Sequence, residues 1–388
     1  MALTFTEVKS KKDWKAFHKV PHLVYRDDPN WIAPLQGDIE GVFDPAVNDT
    51  LQDGEAVCYV MFDEGQPVGR IAAFVDHARN RLQEHPIGGI GFFECLEEER
   101  YAFALFEKAR AWLQARGAEV MDGPINFGER GKFWGLLVKG FDPPLVQENY
   151  HPEYYRKFFE DWGFQPLEQI LTMKGATREI PVDRLRMVME RMRRRYDIQT
   201  LKLDYNELPK FTADFCEVYN AAFSKYGHFK PLQPAQVIKI LKEAKPIADP
   251  HIMTITYFDG KPAAFCALLP DINELLRFAK GKLNWWKLPK LLWSKSRTKQ
   301  FAAKGIGFGV HPDYQNKGAY AAIIDDMATE RNMYRYPYMY LTTVRAHNHE
   351  AVSVYKKLAV HVDRIHIAYR KPLKEGVTVE PFEFTEPY

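Results

Sequence analysis

The stretch GIGFGVHPDYQNKGAYAA, residues 305–322, decides how the rest of the chain is read. It opens with a Gly/Phe/Val strand, turns at His311-Pro312 and passes through a small loop, Gln315-Asn316-Lys317-Gly318. The apolar run AYAAIIDDM then starts a helix. A strand feeding a small-residue loop that opens a helix leaves backbone N–H groups pointing at whatever lies in front of it. The helix dipole adds positive potential there, and Lys317 adds a full charge, so the place suits a phosphate or pyrophosphate. Taken alone, the same stretch reads equally well as a strand-turn-helix with no ligand.

A second stretch lies thirty residues beyond Gly318, after the strand-like PYMYLTTVRA: residues 348–360 read NHEAVSVYKKLAV. Together the two resemble the GNAT acyltransferase superfamily. Its motif A ends in Arg/Gln-x-x-Gly-x-Gly/Ala and grips the pyrophosphate of coenzyme A, and Gln315, Gly318 and the preceding Val310-His311-Pro312 match it. Its later helix reads Asn-x-x-Ala-x-x-x-Tyr-x-x-Leu-Gly-Phe, and Asn348, Ala351, Tyr355 and Leu358 fall in register. Tyr320 stands where the family has a small residue, and Ala359-Val360 replace the closing Gly-Phe.

At 388 residues the chain is long enough for two domains. A net charge of +2 gives no global attraction to nucleic acid. Cys58, Cys95, Cys216 and Cys266 lie far apart without metal or redox spacing and read as buried thiols of a reducing compartment. The start, MALTFTEVKSKKDW, has no apolar signal core, and no run approaches a membrane span. These features predict a soluble cytoplasmic protein.

The order of elements occurs twice. In the first half, a strand (LTFTEVK) and helices precede a hairpin turning at Asp63-Glu64-Gly65-Gln66. The strand IGGIGFFECL, the helix ERYAFALFEKARAWLQARG, the strand EVMDGPINF and the short helix HPEYYRKFFEDWGF follow. In the second half, IQTLKLD, two helices and a hairpin turning at Asp259-Gly260 lead into the opening stretch. Trp162-Gly163-Phe164 corresponds to Leu358-Ala359-Val360. The resemblance then implies an α/β (α+β) fold of two GNAT-like domains, each a mixed, mainly antiparallel sheet flanked by helices. Residues 1–178 would form a degenerate N-terminal domain and residues 179–388 the domain that binds acyl-CoA, with Ile180-Pro181 at the boundary.

The first copy lacks the chemistry. Its loop carries Glu94, Glu97, Glu98 and Glu99 and no glycine, Phe159 stands at the tyrosine position and Pro152 at that of Asn348. Such carboxylates would repel a pyrophosphate. They read as caps on a solvated helix start, with an acid/base or metal site as the alternative, and the first domain reads as a non-catalytic partner that shapes the cleft.

One segment is unusual. Residues 275–312 contain no Asp or Glu, while Arg277, Lys280, Lys282, Lys287, Lys290, Lys295, Arg297, Lys299 and Lys304 are basic and Trp285, Trp286 and Trp293 lie among them. Such a segment can meet nucleic acid, an anionic membrane or an anionic substrate, as a lid over the acceptor side of the cleft. The plainer reading packs the tryptophans on the domain with the lysines outward. The other basic run, residues 184–195, reads as a solvated linker helix.

The resemblance implies that an amine attacks the acyl-CoA thioester directly in a ternary complex. Gly309, Val310, Gln315, Asn316, Lys317, Gly318, Ala319, Tyr320 and Asn348 would hold acetyl-CoA or another acyl-CoA as co-substrate. The Val310 N–H, with Gly309 beside it, would stabilise the oxyanion. Tyr355 would protonate the leaving thiolate, whose ordinary pKa is about 8.5. No metal is called for. No general base can be named: Ile306, Gly307 and Phe308 hold the positions where many relatives place a Glu, and His311, His347 and His349 read as structural. The function expected is an acyl-CoA-dependent N-acyltransferase, with acetyl-CoA as the expected donor, that acts on a small-molecule or peptide amine. Nucleic acid is a disfavoured partner and self-association stays open. The chain resembles bacterial two-domain GNAT proteins of unassigned substrate. The alternatives are a non-catalytic CoA-binding sensor or scaffold, and an aminoacyl-tRNA-dependent peptidyltransferase-like enzyme.

Overall fold

Both expected hairpins form where the turn chemistry puts them. Glu64-Gly65 and Asp259-Gly260 each take two successive positive φ values, 49° and 79° in the first and 50° and 76° in the second, as a two-residue turn between twisted strands requires. The computed structural model describes residues 3–224, 231–380 and 382–388. Its strands are β1 (Thr4–Glu7), β2 (Gly54–Asp63), β3 (Gln66–Asp76), β4 (Ile87–Cys95), β5 (Val120–Gly123), β6 (Leu136–Lys139) and β7 (Gln165–Ala176). After these come β8 (Ile198–Lys202), β9 (Met253–Phe258), β10 (Lys261–Pro270), β11 (Ala302–Val310), β12 (Tyr338–Arg345) and β13 (Val360–Pro372).

The pairing of β1 to β5 is antiparallel three times and then parallel, between β4 and β5. The pairing of β8 to β12 repeats it, with the parallel step between β11 and β12. Where each run would next add its own closing strand, the halves exchange strands. β13, the last strand of the chain, lies beside β5, with Tyr369 opposite Gly123. β7, the last strand of the first half, lies beside β12, with Tyr338 opposite Ala176. β7 and β13 pair with each other, so one mixed sheet of thirteen strands runs through both halves. One apolar cluster accordingly mixes Phe159, Leu171 and Met173 with Leu341, Val360, Ile365 and Ile367.

Helices cover both faces of the second half. Along β10 the side chains alternate: Phe265 and Ala267 pack with the helices Leu208–Phe223 and Pro234–Ala244, whereas Ala264, Cys266 and Leu268 join the cluster that holds the helix Ala319–Met327. The basic helix Val182–Arg193 is not merely solvated: Met189 is buried, and Arg186 and Arg193 reach Asp325 on the helix Ala319–Met327 at 3.6 and 3.1 Å.

The expectation for the Glu94 to Glu99 carboxylates needs correction at two points. Glu94 is buried and accepts a hydrogen bond from Arg70, whose guanidinium also lies 4.5 Å over the Phe17 ring. Arg70 is the one charge in the buried stretch Pro67–Val75 of β3 and requires such a partner. Glu98, at the start of the helix Glu99–Gln114, makes no side-chain cap and pairs instead with Arg100 at 2.6 Å.

Candidate active site

β11 and β12 are parallel neighbours only from Ala302–Tyr338 to Gly305–Leu341. Beyond that register β11 stays on β10 as far as Val310, while β12 stays on β7 as far as Arg345. The two strands therefore diverge and leave a V between them. The register slips at the point of departure: Ala267 faces Gly307 and Leu268 faces Gly305, so Ile306 is extra and 59% exposed.

The ladder on β10 fixes which amides face the V. The His311 N–H donates to the Ala263 carbonyl at 2.8 Å. In an antiparallel pair such bonds recur every second residue, so Gly309 and Gly307 also face β10, and the N–H groups of Phe308 and Val310 point into the V. Val310 thus sits where the sequence suggested a donor. The Gly309 amide is engaged in the ladder, and its lack of a side chain serves packing, because a Cβ there would run into the Phe265 ring. Phe308 is the donor that sequence reading passed over; the alternation of the strand was the available signal.

At the mouth of the V the chain turns through Pro312–Tyr314 and the exposed Gln315, Asn316 and Lys317 into the helix Ala319–Met327. Asn316 and Gly318 both have positive φ, 61° and 79°. No side chain caps that helix, so its first-turn amides, starting at Ala319, meet no protein acceptor of that kind and remain suited to an anion. The Lys317 ammonium lies 5.5 Å from the Tyr314 ring centroid, beside these amides. Behind the loop, a Cβ on Gly318 would meet Met192 Cγ at 2.8 Å. The glycine is therefore demanded by its left-handed backbone and by the helix Val182–Arg193, not by the space in front.

The second motif lands on the other side of the V. Asn348 caps the helix His349–Lys357, its Oδ1 accepting from the Ala351 N–H at 3.2 Å. Two turns on, Tyr355 forms part of the wall of an apolar pocket together with Phe308, Tyr320 and Leu358. Ile252, Leu268, Ala303, Ile323, Ile324, Met327, Met339 and Leu341 complete most of that wall. Its polar side chains are already engaged: Thr177 Oγ1 donates to the Tyr336 carbonyl at 2.8 Å and Asn332 Nδ2 to the Met327 carbonyl at 3.2 Å. Thr177 and Ile180 come from the connection between the halves. Sequence reading missed this pocket. The signal for it was a helix, AYAAIIDDM, that is apolar on more faces than its seat on the sheet needs.

A buried polar group flanks the start of β11. Lys304 donates to the Val146 carbonyl, and Asp271 accepts from the Val146 N–H at 2.9 Å. Burial pushes the Asp271 carboxyl up to about 6 and holds the Lys304 ammonium below its ordinary range. Glu148 beside them bonds Arg364 of β13 at 2.8 Å and Thr172 of β7 at 2.6 Å, so this group also fastens the exchanged strands. Among the described residues no cluster of three or more His, Cys, Asp or Glu has the arrangement of a metal site.

In the first half the corresponding V is filled by the chain itself. β4 and β5 pair only from Ile87–Val120 to Gly89–Asp122, and the Ile125 N–H then bonds the Ile90 carbonyl at 2.8 Å. Farther along, the Tyr155 hydroxyl accepts from the Cys95 N–H at 2.7 Å and donates to the Cys95 carbonyl at 3.0 Å.

Residues 234–359 match the Acetyltransferase (GNAT) family. The bacterial ceramide synthase of Caulobacter vibrioides is 29% identical over 296 residues, 75% of this chain and 76% of that protein. The protein YghO of Escherichia coli is 26% identical over 311 residues, 79% of this chain and 78% of its own length. Among solved structures, a tandem GNAT protein from the clavulanic acid biosynthesis pathway superposes with a TM-score of 0.52 at 10% identity, over 97% of this chain and all of that one. A GCN5-related glucosamine N-acetyltransferase region of a fungal multi-domain β-N-acetylglucosaminidase gives 0.54 at 12% identity, over 95% of this chain but 38% of that longer one. The structural likenesses concern the fold.

Proposed function

We propose that this chain, whose second half carries a GNAT acyltransferase domain, moves a long-chain acyl group from acyl-CoA to an amine by direct attack in a ternary complex. Residues 179–388 are the unit that binds acyl-CoA; residues 1–178 are a GNAT-like unit without a ligand, a reading supported by the filled V between β4 and β5. The observation that carries the long chain is the apolar pocket that shares Phe308 and Tyr355 with the V. An acetyl group needs no such space. An alkyl chain gains roughly 0.8 kcal/mol for each methylene it buries there. The methionines of the wall, Met327, Met333 and Met339, adapt to a flexible chain.

In this reading the amides of the helix Ala319–Met327 and Lys317 hold the pyrophosphate, and Gln315, Asn316, Tyr320 and Asn348 line or support that end. The thioester carbonyl receives the N–H of Phe308 or Val310, which stabilise the oxyanion as the amine adds. Tyr355 delivers a proton to the departing thiolate. The acceptor class follows from the Caulobacter relative's name, since a ceramide is an N-acylated long-chain amino alcohol. A long-chain amino alcohol is therefore the proposed acceptor, and the cytoplasm the proposed site of action.

The test compares acetyl-CoA with palmitoyl-CoA by calorimetry and by transfer to sphinganine. Palmitoyl-CoA should bind at least about tenfold more tightly, and Met339→Trp should abolish that preference while acetyl-CoA binding persists. Equal affinity for the two donors in the wild-type protein would remove the long-chain assignment. A folded protein that binds neither would remove the acyl-CoA assignment as well.

A further inference from the structure

The basic, tryptophan-rich segment is not packed as the sequence suggested. Trp285, Trp286 and Trp293 are 69%, 67% and 64% exposed, and Leu288 and Leu292 are each 40% exposed. Among the described residues, these five make up a third of the fifteen exposed large hydrophobic side chains, yet they fall within nine positions. The segment is nevertheless firmly seated. Leu291 is buried in the core of the second half, Lys287 donates to the Ala279 carbonyl at 2.9 Å and Lys295 to the Pro246 carbonyl at 2.7 Å. Arg277 donates to the Pro29 carbonyl at 2.7 Å, and Gly281 accepts from the Gln36 N–H at 2.8 Å, which fastens the segment to the first half. It is thus a fixed platform with its bulkiest apolar groups turned outward, the reverse of an ordinary surface helix. It joins β11 at Ala302, the end farther from Val310.

We infer that this platform docks the protein onto an anionic membrane surface. Around the apolar groups stand Lys280, Lys282, Lys290, Arg297 and Lys299, all exposed, and no acidic residue occurs from 275 to 312. Glu274, at the edge, is paired with Arg277 at 3.0 Å. Cations of that density attract anionic headgroups, while tryptophan settles at the boundary between headgroup and acyl chain. The leucines decide between partners. A nucleic-acid platform stacks bases on aromatic rings and gains nothing from Leu288 and Leu292, whereas acyl chains receive both. The Trp285 and Trp286 rings are also stacked on each other, 3.3 Å between centroids, so they enter the interface as one wedge. No helix in the described residues is long and apolar enough to cross a membrane, so the attachment is peripheral.

The experiment is co-sedimentation of the full chain with vesicles of phosphatidylglycerol and phosphatidylcholine, against phosphatidylcholine alone. The wild-type protein should pellet with the anionic vesicles and be released in part as salt rises. The triple variant W285A/W286A/W293A should partition at least about tenfold less with an unchanged melting temperature, because the three side chains are exposed. Lys280→Glu/Lys282→Glu/Lys290→Glu should lose the anionic preference. Failure of the wild-type protein to bind, or equal binding by the tryptophan variant, would overturn the inference. So would tryptophan-dependent binding of a single-stranded oligonucleotide without vesicle binding. None of these readouts requires the acyl-transfer substrate.

Discussion

Tyr338, on the parallel pair of the second half, is registered opposite Ala176, the last residue of the strand that ends the first half. The reciprocal contact sets Tyr369 opposite Gly123. Each half is thereby completed by the other, and the exposed edges that β5 and β12 would otherwise present are covered. The fragments 1–178 and 179–388, expressed separately, should be insoluble or aggregated. Co-expressed, they should form a one-to-one complex with the circular dichroism of the intact chain. Two soluble, monomeric fragments with native spectra in size-exclusion chromatography would show that the exchange contributes nothing to folding.

Gly318 should govern stability more than ligand affinity. Its φ of 79° and the approach of Met192 both oppose a side chain. Gly318→Ala should cost roughly 2–4 kcal/mol in urea unfolding, from left-handed strain and overpacking together. Met192→Ala in the same protein should return only the packing part. Lys317→Glu is the cleaner probe of the anion site: it should weaken coenzyme A binding by about tenfold or more in calorimetry, with stability unchanged, because the side chain is exposed.

What the sequence revealed and concealed follows from the range of the interactions. The loop at 311–318 and the two hairpins depend on neighbours in sequence, so residue type and spacing announce them. The exchange of β7 and β13 depends on partners such as Arg370 and Asp122, 248 positions apart in sequence and joined by hydrogen bonds of 2.6 and 2.8 Å, and no local pattern encodes it. Arg70 and Glu94 were a middle case. The lone basic residue of GRIAAFVD, set among apolar neighbours, calls for a buried partner without saying which one. The tryptophans of residues 285–293 carry no sign of which way they face, because a core anchor and a membrane anchor have the same composition.

Acid should unfold the protein in a window set partly by His151. Burial lowers its pKa to about 3, and its Nδ1 accepts the Leu137 N–H at 3.2 Å, which requires the neutral ring. The folded value lies below the ordinary one of about 6.5, so the unfolded chain binds the proton first. The stability owed to the neutral ring is complete above pH 6.5 and is lost as pH falls from there toward 3. His151→Asn keeps an acceptor and cannot titrate. Melting temperature recorded against pH should fall less steeply for this variant between pH 6 and 4. Parallel curves would assign the acid sensitivity elsewhere.

Tyr355 offers the sharpest test of mechanism, because its two possible roles predict different kinetics. It stands on the helix His349–Lys357, with Phe308 of the V in the same pocket wall. If the ring only lines the pocket, Tyr355→Phe keeps the ring and should leave turnover and donor affinity as they were. If the hydroxyl protonates the thiolate, the variant should bind acyl-CoA within about twofold of wild type and turn over roughly 10²-fold more slowly. Replacing the thioester by a donor whose leaving thiol is more acidic should narrow that gap, since a better leaving group needs the proton less. Single-turnover transfer with both donors provides the measurement. A rate loss that is the same for the two leaving groups would assign Tyr355 to positioning rather than proton delivery.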